Sequence, residues 1–355
     1  MKKFCTLFFL FHFVAIKLLM AQNEIDDAHE KAQQAMVLMD KHQYDNAIKI
    51  LQSARKEDPK NHDYLYQIGL AYYLKQDFTN AILVFSQLIK MSDAKAAYFE
   101  TYGNVLDDDK QTEKALEIYF SGLKKFPKSG SLYFQIGNIY LAQKKYNPAI
   151  SAYESGIEAE PAFAPNYYRA AKLYCYSNEE VWGMIYGEIY LNLDHSNKHS
   201  AEISKLLYDV YKSEINLTSD STLTVSFSKQ KSSNKSAVIP YGIGVYEPTL
   251  ELALKGIKSI NINSLDKVRS KFLEIYFEKG YNKLFPNALF DYQNIVKNAG
   301  HFEAYNHWLL YKGNETMFAV WQAKNKEKWE DFIVWYKANA LQLNEQNKFY
   351  RKKFD

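Results

Sequence analysis

The sequence predicts an all-α protein: a solenoid of stacked, antiparallel helix pairs that carries a small β-hairpin insertion and ends in a helical C-terminal cap. Three observations lead there. Alanines recur every 34 residues, at Ala47, Ala81, Ala115 and Ala149, and Gly69, Gly103 and Gly137 keep the same interval. Large residues hold fixed offsets from both: Leu51, Phe85, Tyr119 and Tyr153 lie four after the alanine, and Tyr72, Leu106 and Tyr140 lie three after the glycine. The 355-residue chain is 47% apolar and 24% charged with only 14 Gly and 8 Pro, a folding composition that suits long helices better than many turns.

The first element is a signal peptide over residues 1–21. Lys2 and Lys3 form a positive start, an apolar run follows from Thr6 to Met20, and the small Ala21 precedes Gln22. His12 and Lys17 interrupt the apolar run, which is short for a membrane-spanning helix, so cleavage is expected over anchoring. Cys5 lies too early to carry a lipid. Without residues 1–21, which hold Lys2, Lys3 and Lys17 and no acid, the chain is nearly neutral. That gives it no bulk attraction for nucleic acid or anionic lipid. Cys175 then remains alone, so stability must come from packing and not from a disulfide. Its place in a helical pattern reads as a small buried apolar residue. Export to the periplasm or cell envelope of a Gram-negative bacterium is the expected location.

The repeats come next. In each unit the small residue of the first helix lets the second approach and large residues at spacings of three and four fill the seam; Pro59, Pro127 or Pro161 ends the unit, with Asp93 in that place in the second. One pair cannot bury its apolar stripe alone, so neighbours must stack. Leu65-x-x-Ile68-Gly69-x-x-Tyr72 with Ala81 and Phe85, Phe99-x-x-Tyr102-Gly103 with Ala115 and Pro127, and Tyr133-x-x-Ile136-Gly137-x-x-Tyr140 with Ala149, Tyr153 and Pro161 resemble the tetratricopeptide repeat. The units fall near 28–61, 62–95, 96–129 and 130–163. The first has Ala35 where the glycine stands elsewhere. A degraded fifth unit at 164–197 has Gly183 in place of the alanine and no closing proline. Together they place the solenoid at 22–215. Lys41, Lys75, Lys110 and Lys144 recur at the turns within units, as a solvated face.

Residues 216–246 change character. Thr222–Ser228 alternates polar and apolar with Leu223, Val225 and Phe227 on one face, which predicts a strand, and 237–245 is the expected return strand of the hairpin, weakened by Pro240. Asp220-Ser221-Thr222 resembles an O-glycosylation acceptor motif of Bacteroidota. From 247 to 342 the chain is helical and aromatic, with helices expected at 248–257, 264–279, 286–298, 301–311, 315–324 and 326–340. Trp308, Trp321, Trp329 and Trp335 lie here, and spacings of three and four put Trp329, Phe332 and Trp335-Tyr336 on one face, read as a core seam. His301–Trp308 and Trp329–Tyr336 resemble the tails of secreted tetratricopeptide proteins of Bacteroidota. Residues 343–355 read as a basic tail.

Catalytic signatures are sparse. His301, Glu303 and His307 put their histidines six apart, on different helical faces, and Asp194, His195 and His199 read as a solvated loop between repeats. Phosphate-binding glycine loops, nucleophile elbows and metal-binding Cys or His motifs do not occur in the sequence. The expectation is a protein that binds and does not catalyse, with no cofactor and no metal.

The first helix of each pair should line the concave face. Counting from the repeated glycine, its non-seam positions are Tyr66, Glu100, Phe134 and Tyr168, then Leu70, Asn104, Asn138 and Lys172, then Tyr73, Asp107, Asp108, Leu141 and Tyr176. Resemblance to peptide-binding tetratricopeptide domains implies that Asn104 and Asn138 grip a peptide backbone, since an amide both donates and accepts. Tyr66, Phe134 and Tyr168 would add flat apolar contact. The family's carboxylate-binding groove has Lys and Arg where this chain has Tyr66, Glu100 and Phe134, so a free C-terminal carboxylate is not the expected ligand. A protein or peptide partner, in an adaptor role, is. A glycan-facing module built on the C-terminal aromatics and an enzyme using Glu303 or His307 are the alternatives.

Overall fold

A computed structural model describes residues 25–195, 197–219, 222–229 and 240–354. Residues 1–21, expected to be a signal peptide, and 237–239 lie outside them, as do Asp220 and Ser221. The chain divides into two compact units between Pro127 and Lys128, which falls within the stretch expected to be one solenoid.

The first unit holds three helix pairs: α1 (25–40) with α2 (Tyr44–Glu57), α3 (Asp63–Leu74) with α4 (Phe78–Leu88), and α5 (Ala96–Asp108) with α6 (Thr112–Lys125). The seam is built as the spacing requires. Ala47, Ala81 and Ala115 are fully buried. A methyl group on Gly103 would sit 2.1 Å from the Tyr119 ring, and one on Gly69 would sit 2.9 Å from Phe85, so the large residue of the second helix lies flat on the glycine of the first. The turns repeat as faithfully. His42, Gln76 and Lys110 in this unit, and Lys144 in the second, take left-handed backbone angles (φ 58° to 64°). The next residue closes each helix by donating to a carbonyl five positions back, as Gln111 does to Leu106 at 2.8 Å.

The second unit continues the pattern with α7 (Gly130–Ala142) and α8 (Tyr146–Ala159), then α9 (Ala164–Cys175) and α10 (Glu180–Leu193). Gly137 lies under Tyr153, where an added methyl would meet the ring at 2.4 Å. The fifth pair departs from the repeat because α10 is buried on every side, from Glu180 to Asn192. Gly183 stands where alanine is expected because a methyl there would come within 2.5 Å of the Cys175 sulfur. Around α10 pack α11 (Lys198–Glu214), α13 (Ile262–Glu278), α15 (Ala288–Asn298), α16 (Phe302–Leu310) and α18 (Lys326–Ala338), with the short α12 (Glu247–Ala253), α14 (Tyr281–Leu284) and α17 (Glu315–Lys324) between. The C-terminal helices therefore share one core with the last repeat.

One expectation is corrected. The strand at Thr222–Val225 (β2) pairs with Ile215–Ser219 (β1), antiparallel, with Ile215 opposite Val225. Among the described residues it does not pair with 240–245. Gly242–Tyr246 instead forms a π-helical turn that runs into α12, burying Tyr241, Val245 and Tyr246. The apolar spacing there serves a helix as well as a strand, and the two-residue connection to β1 claims β2 first. The basic tail is partly packed, with 344–347, Lys352 and Lys353 exposed. Leu343 is buried and Phe349 is fully buried, its ring 5.6 Å from that of Trp182.

Candidate functional site

In the first unit α3 and α5 lie side by side. Tyr66 and Thr101 pair their hydroxyls at 3.1 Å, and Tyr73 donates to Asp108 at 2.5 Å. Burial and then Asp108 push the Tyr73 phenol well above its ordinary value, so it stays a donor. Glu100, Asn104 and Asp107 follow at spacings of four and three along α5, on one face. Asp107 accepts from the Thr112 hydroxyl at 2.7 Å. This face is acidic and phenolic, a surface for basic groups.

The asparagines serve the packing of their own repeats. Asn104 Oδ1 accepts from the Tyr119 hydroxyl at 2.7 Å, and Asn138 Oδ1 accepts from Tyr153 at 2.9 Å. The pair α3–α4 has Phe85 in place of the tyrosine, and there the asparagine position is Leu70. The amide tracks the phenol of its own repeat. One of the two lone pairs of the Asn104 oxygen is thus taken up within the fold. At Asn138 the amide nitrogen donates to Gln135 at 3.3 Å.

In the second unit Phe134 packs against Tyr153 and Phe163, with the Arg169 guanidinium over its ring. Tyr168 is buried, with His199 4.5 Å away on one side and Tyr190 on the other. Its hydroxyl donates to Glu202 at 2.7 Å, and Lys172 pairs with the same carboxylate at 2.5 Å. Burial alone would raise the Glu202 carboxyl, but Lys172 and Tyr168 hold it below the usual range. Tyr176 is the open contact, at 79% exposure. It stands between two clefts, one of about 540 Å³ reaching to Glu154, Tyr174 and Arg351, the other of about 460 Å³ bounded by Glu202, Lys205, Asp209 and Lys312. Glu202, Arg169 and Arg351 escaped the sequence reading; the first lies 34 residues after Tyr168, a spacing that could have pointed to it.

The candidates for chemistry are committed to packing. His307 stacks on Trp321 at 4.1 Å, donates from Nδ1 to the Glu303 carbonyl at 2.8 Å, and places Nε2 3.0 Å from the Asn263 amide. Burial lowers its pKa and keeps it neutral. Glu303 accepts from the Trp321 indole and from Lys328. His195 faces Trp308 and Tyr336, whereas His199 faces Tyr168, so the two diverge. Among the described residues no group of three or more His, Cys, Asp or Glu side chains could hold a metal ion. Burial pushes the Cys175 thiol far up, away from the reactive thiolate. The C-terminal aromatics are the seam the spacing predicts: Trp321 and Phe332 are buried, Trp308 lies 4.9 Å from Tyr336, and Trp335 packs on His301.

A buried polar network was invisible in the sequence. Arg269 donates to Glu188 at 2.6 Å, to Asn306 at 2.7 Å and to Tyr211 at 3.1 Å. Gln293 and Tyr305 donate to the same Glu188 oxygen. Beside it is a cavity of about 20 Å³, room for roughly one water. These groups join α10, α11, α13, α15 and α16, which explains a glutamate in the middle of the most buried helix.

Residues 32–97 and 130–163 match family models of the tetratricopeptide repeat. The chain therefore carries tetratricopeptide repeats, which are protein-interaction scaffolds. No curated protein matches it. Among solved structures, PilF of Pseudomonas aeruginosa is similar at 16% identity, over 54% of this chain and 86% of its own, with a TM-score of 0.44. The type IV pilus biogenesis factor PilW is similar at 19% identity, over 52% of this chain and 84% of its own, with a TM-score of 0.40. A tetratricopeptide repeat protein of Parabacteroides merdae is similar at 11% identity, over 87% of this chain and 99% of its own, with a TM-score of 0.39.

Proposed function

We propose that this protein is an exported adaptor that binds a protein partner through the faces of its inner helices and performs no catalysis. The observation that carries the reading is Tyr176, a large aromatic left open at the end of α9 between two clefts. An exposed tyrosine flanked by concave surface is what a binding hot spot requires. The acidic, phenolic face of α5, with Tyr73 beside it, supports a second contact region in the first unit. The basic start, apolar run and Ala21 support export to the periplasm or envelope, with the mature chain beginning at Gln22.

The test is a photo-crosslinking amino acid placed at position 176 or at position 73 in the full chain, expressed in its own cells. One protein partner captured from the envelope fraction at both positions, and lost when Lys172→Glu breaks the pairing with Glu202, is the expected result. Adducts at neither position would overturn the reading. Terminal sequencing of the envelope-fraction protein checks export separately: an intact Met1 would refute cleavage at Ala21.

A further inference from the structure

The C-terminal segment is bound as a peptide would be. Along α8, Ser151, Glu154 and Glu158 follow at spacings of three and four and share one face. Lys348 donates to the Glu158 carbonyl at 3.0 Å, and Tyr350 donates to the Glu158 carboxylate at 3.1 Å. Arg351 donates from Nε to Glu154 at 3.3 Å, lies 3.7 Å from Glu179 and spans the Tyr174 ring. Lys352 reaches Ser151 at 3.5 Å. Phe349 fills the apolar slot against Trp182.

Two facts make this more than a docked tail. Glu154 is 1% exposed, and its second oxygen, Oε2, has no hydrogen-bond partner, although Oε1 takes Tyr174, Tyr186 and Arg351. A buried carboxylate with one oxygen unpaired is costly unless a cation completes it. Arg351 keeps 25% of its side chain exposed, and past it opens the cleft of about 540 Å³ that Glu154, Tyr174 and Glu179 also line. A cation arriving through the cleft therefore reaches Glu154 only by taking the place of Arg351.

We propose that the face of α8, with Glu154 at its floor, is a receptor site for a basic and aromatic peptide segment, and that Lys348–Phe354 occupies it in cis as a displaceable placeholder. A partner carrying an arginine or lysine next to an aromatic residue would displace the tail, place its cation on Glu154 and extend into the cleft. Tyr176 borders the same cleft, so the proposal rests on the reading above and names the partner segment that this cleft would take.

The test uses the full chain and a labelled peptide of its own residues 343–355. Hydrogen exchange comes first: amides of 348–354 should exchange by local opening, at least tenfold faster than those of α10. Exchange only with global unfolding would make the tail permanent core and overturn the proposal. In trans, the peptide should bind Phe349→Ala at least tenfold more tightly than it binds the intact chain. Adding Glu154→Gln should weaken that binding at least tenfold, and Lys172→Glu should leave it unchanged, which separates this site from the inner-helix reading. Binding indifferent to Glu154→Gln, or none to a Phe349→Ala chain with native circular dichroism, would overturn it. Should Phe349→Ala not fold, Arg351→Ala takes its place with the same two outcomes.

Discussion

Replacing Asn104 by leucine tests whether this amide serves the fold. Tyr119 is 2% exposed, and its hydroxyl has Asn104 Oδ1 at 2.7 Å. Asn104→Leu strands that hydroxyl. The penalty for a buried unpaired group is about 1–3 kcal/mol, and because Asn104 is only half buried the lower half of the range applies. Tyr119→Phe alone should cost about 0.5–1 kcal/mol, since the freed amide can turn to water. The double variant recreates the Leu70–Phe85 arrangement that the α3–α4 pair already uses, so it should be close to neutral. The cycle therefore predicts a coupling of about 1 kcal/mol or more between the two positions. Urea unfolding of the four proteins at pH 7, compared at constant slope, measures it. Additive effects, with coupling below about 0.3 kcal/mol, would refute a shared role and restore Asn104 to the partner alone.

Other outcomes follow from the same geometry. Gly103→Ala should destabilise the first unit by about 1–3 kcal/mol despite alanine's better helix propensity, because the new methyl meets the Tyr119 ring at 2.1 Å; chemical denaturation reads it. Glu188→Ala leaves Arg269 buried without its carboxylate and should cost about 3–5 kcal/mol, seen by calorimetry as a lower midpoint for the transition of the second unit. His307 has a folded pKa below its ordinary 6.5, so the unfolded chain takes up its proton first. Its contribution is full above about pH 6.5 and is lost as pH falls through the folded value. Against Asp266, Glu303 and Lys328, the charged groups around it, His307→Gln should therefore make stability less sensitive to acid between pH 6.5 and 5; a parallel pH profile for the two proteins would contradict this.

The sequence by itself determined the repeat architecture. A period of 34 with a glycine under a large ring is a local steric rule, written wherever two helices must approach, and it marks the helix pairs from α3 to α8. Helical spacing likewise located the C-terminal helices and identified Trp329, Phe332 and Tyr336 as seam. Only the tertiary structure decided what lies between elements distant in sequence. The pairing of Glu188 with Arg269 spans 81 residues, and that of Glu154 with Arg351 spans 197. No periodicity links such positions, because each partner is chosen by where whole helices come to rest. The same holds for the tail. Residues 343–355 read as a basic tail from their charges, and Lys348–Phe354 becomes a bound segment because α8 and Trp182 present an acidic row and an apolar slot. Burial of α10 from all sides explains its break with the repeat: once later helices cover its outer face, a carboxylate there must find a cation, and Arg269 is the one the fold delivers.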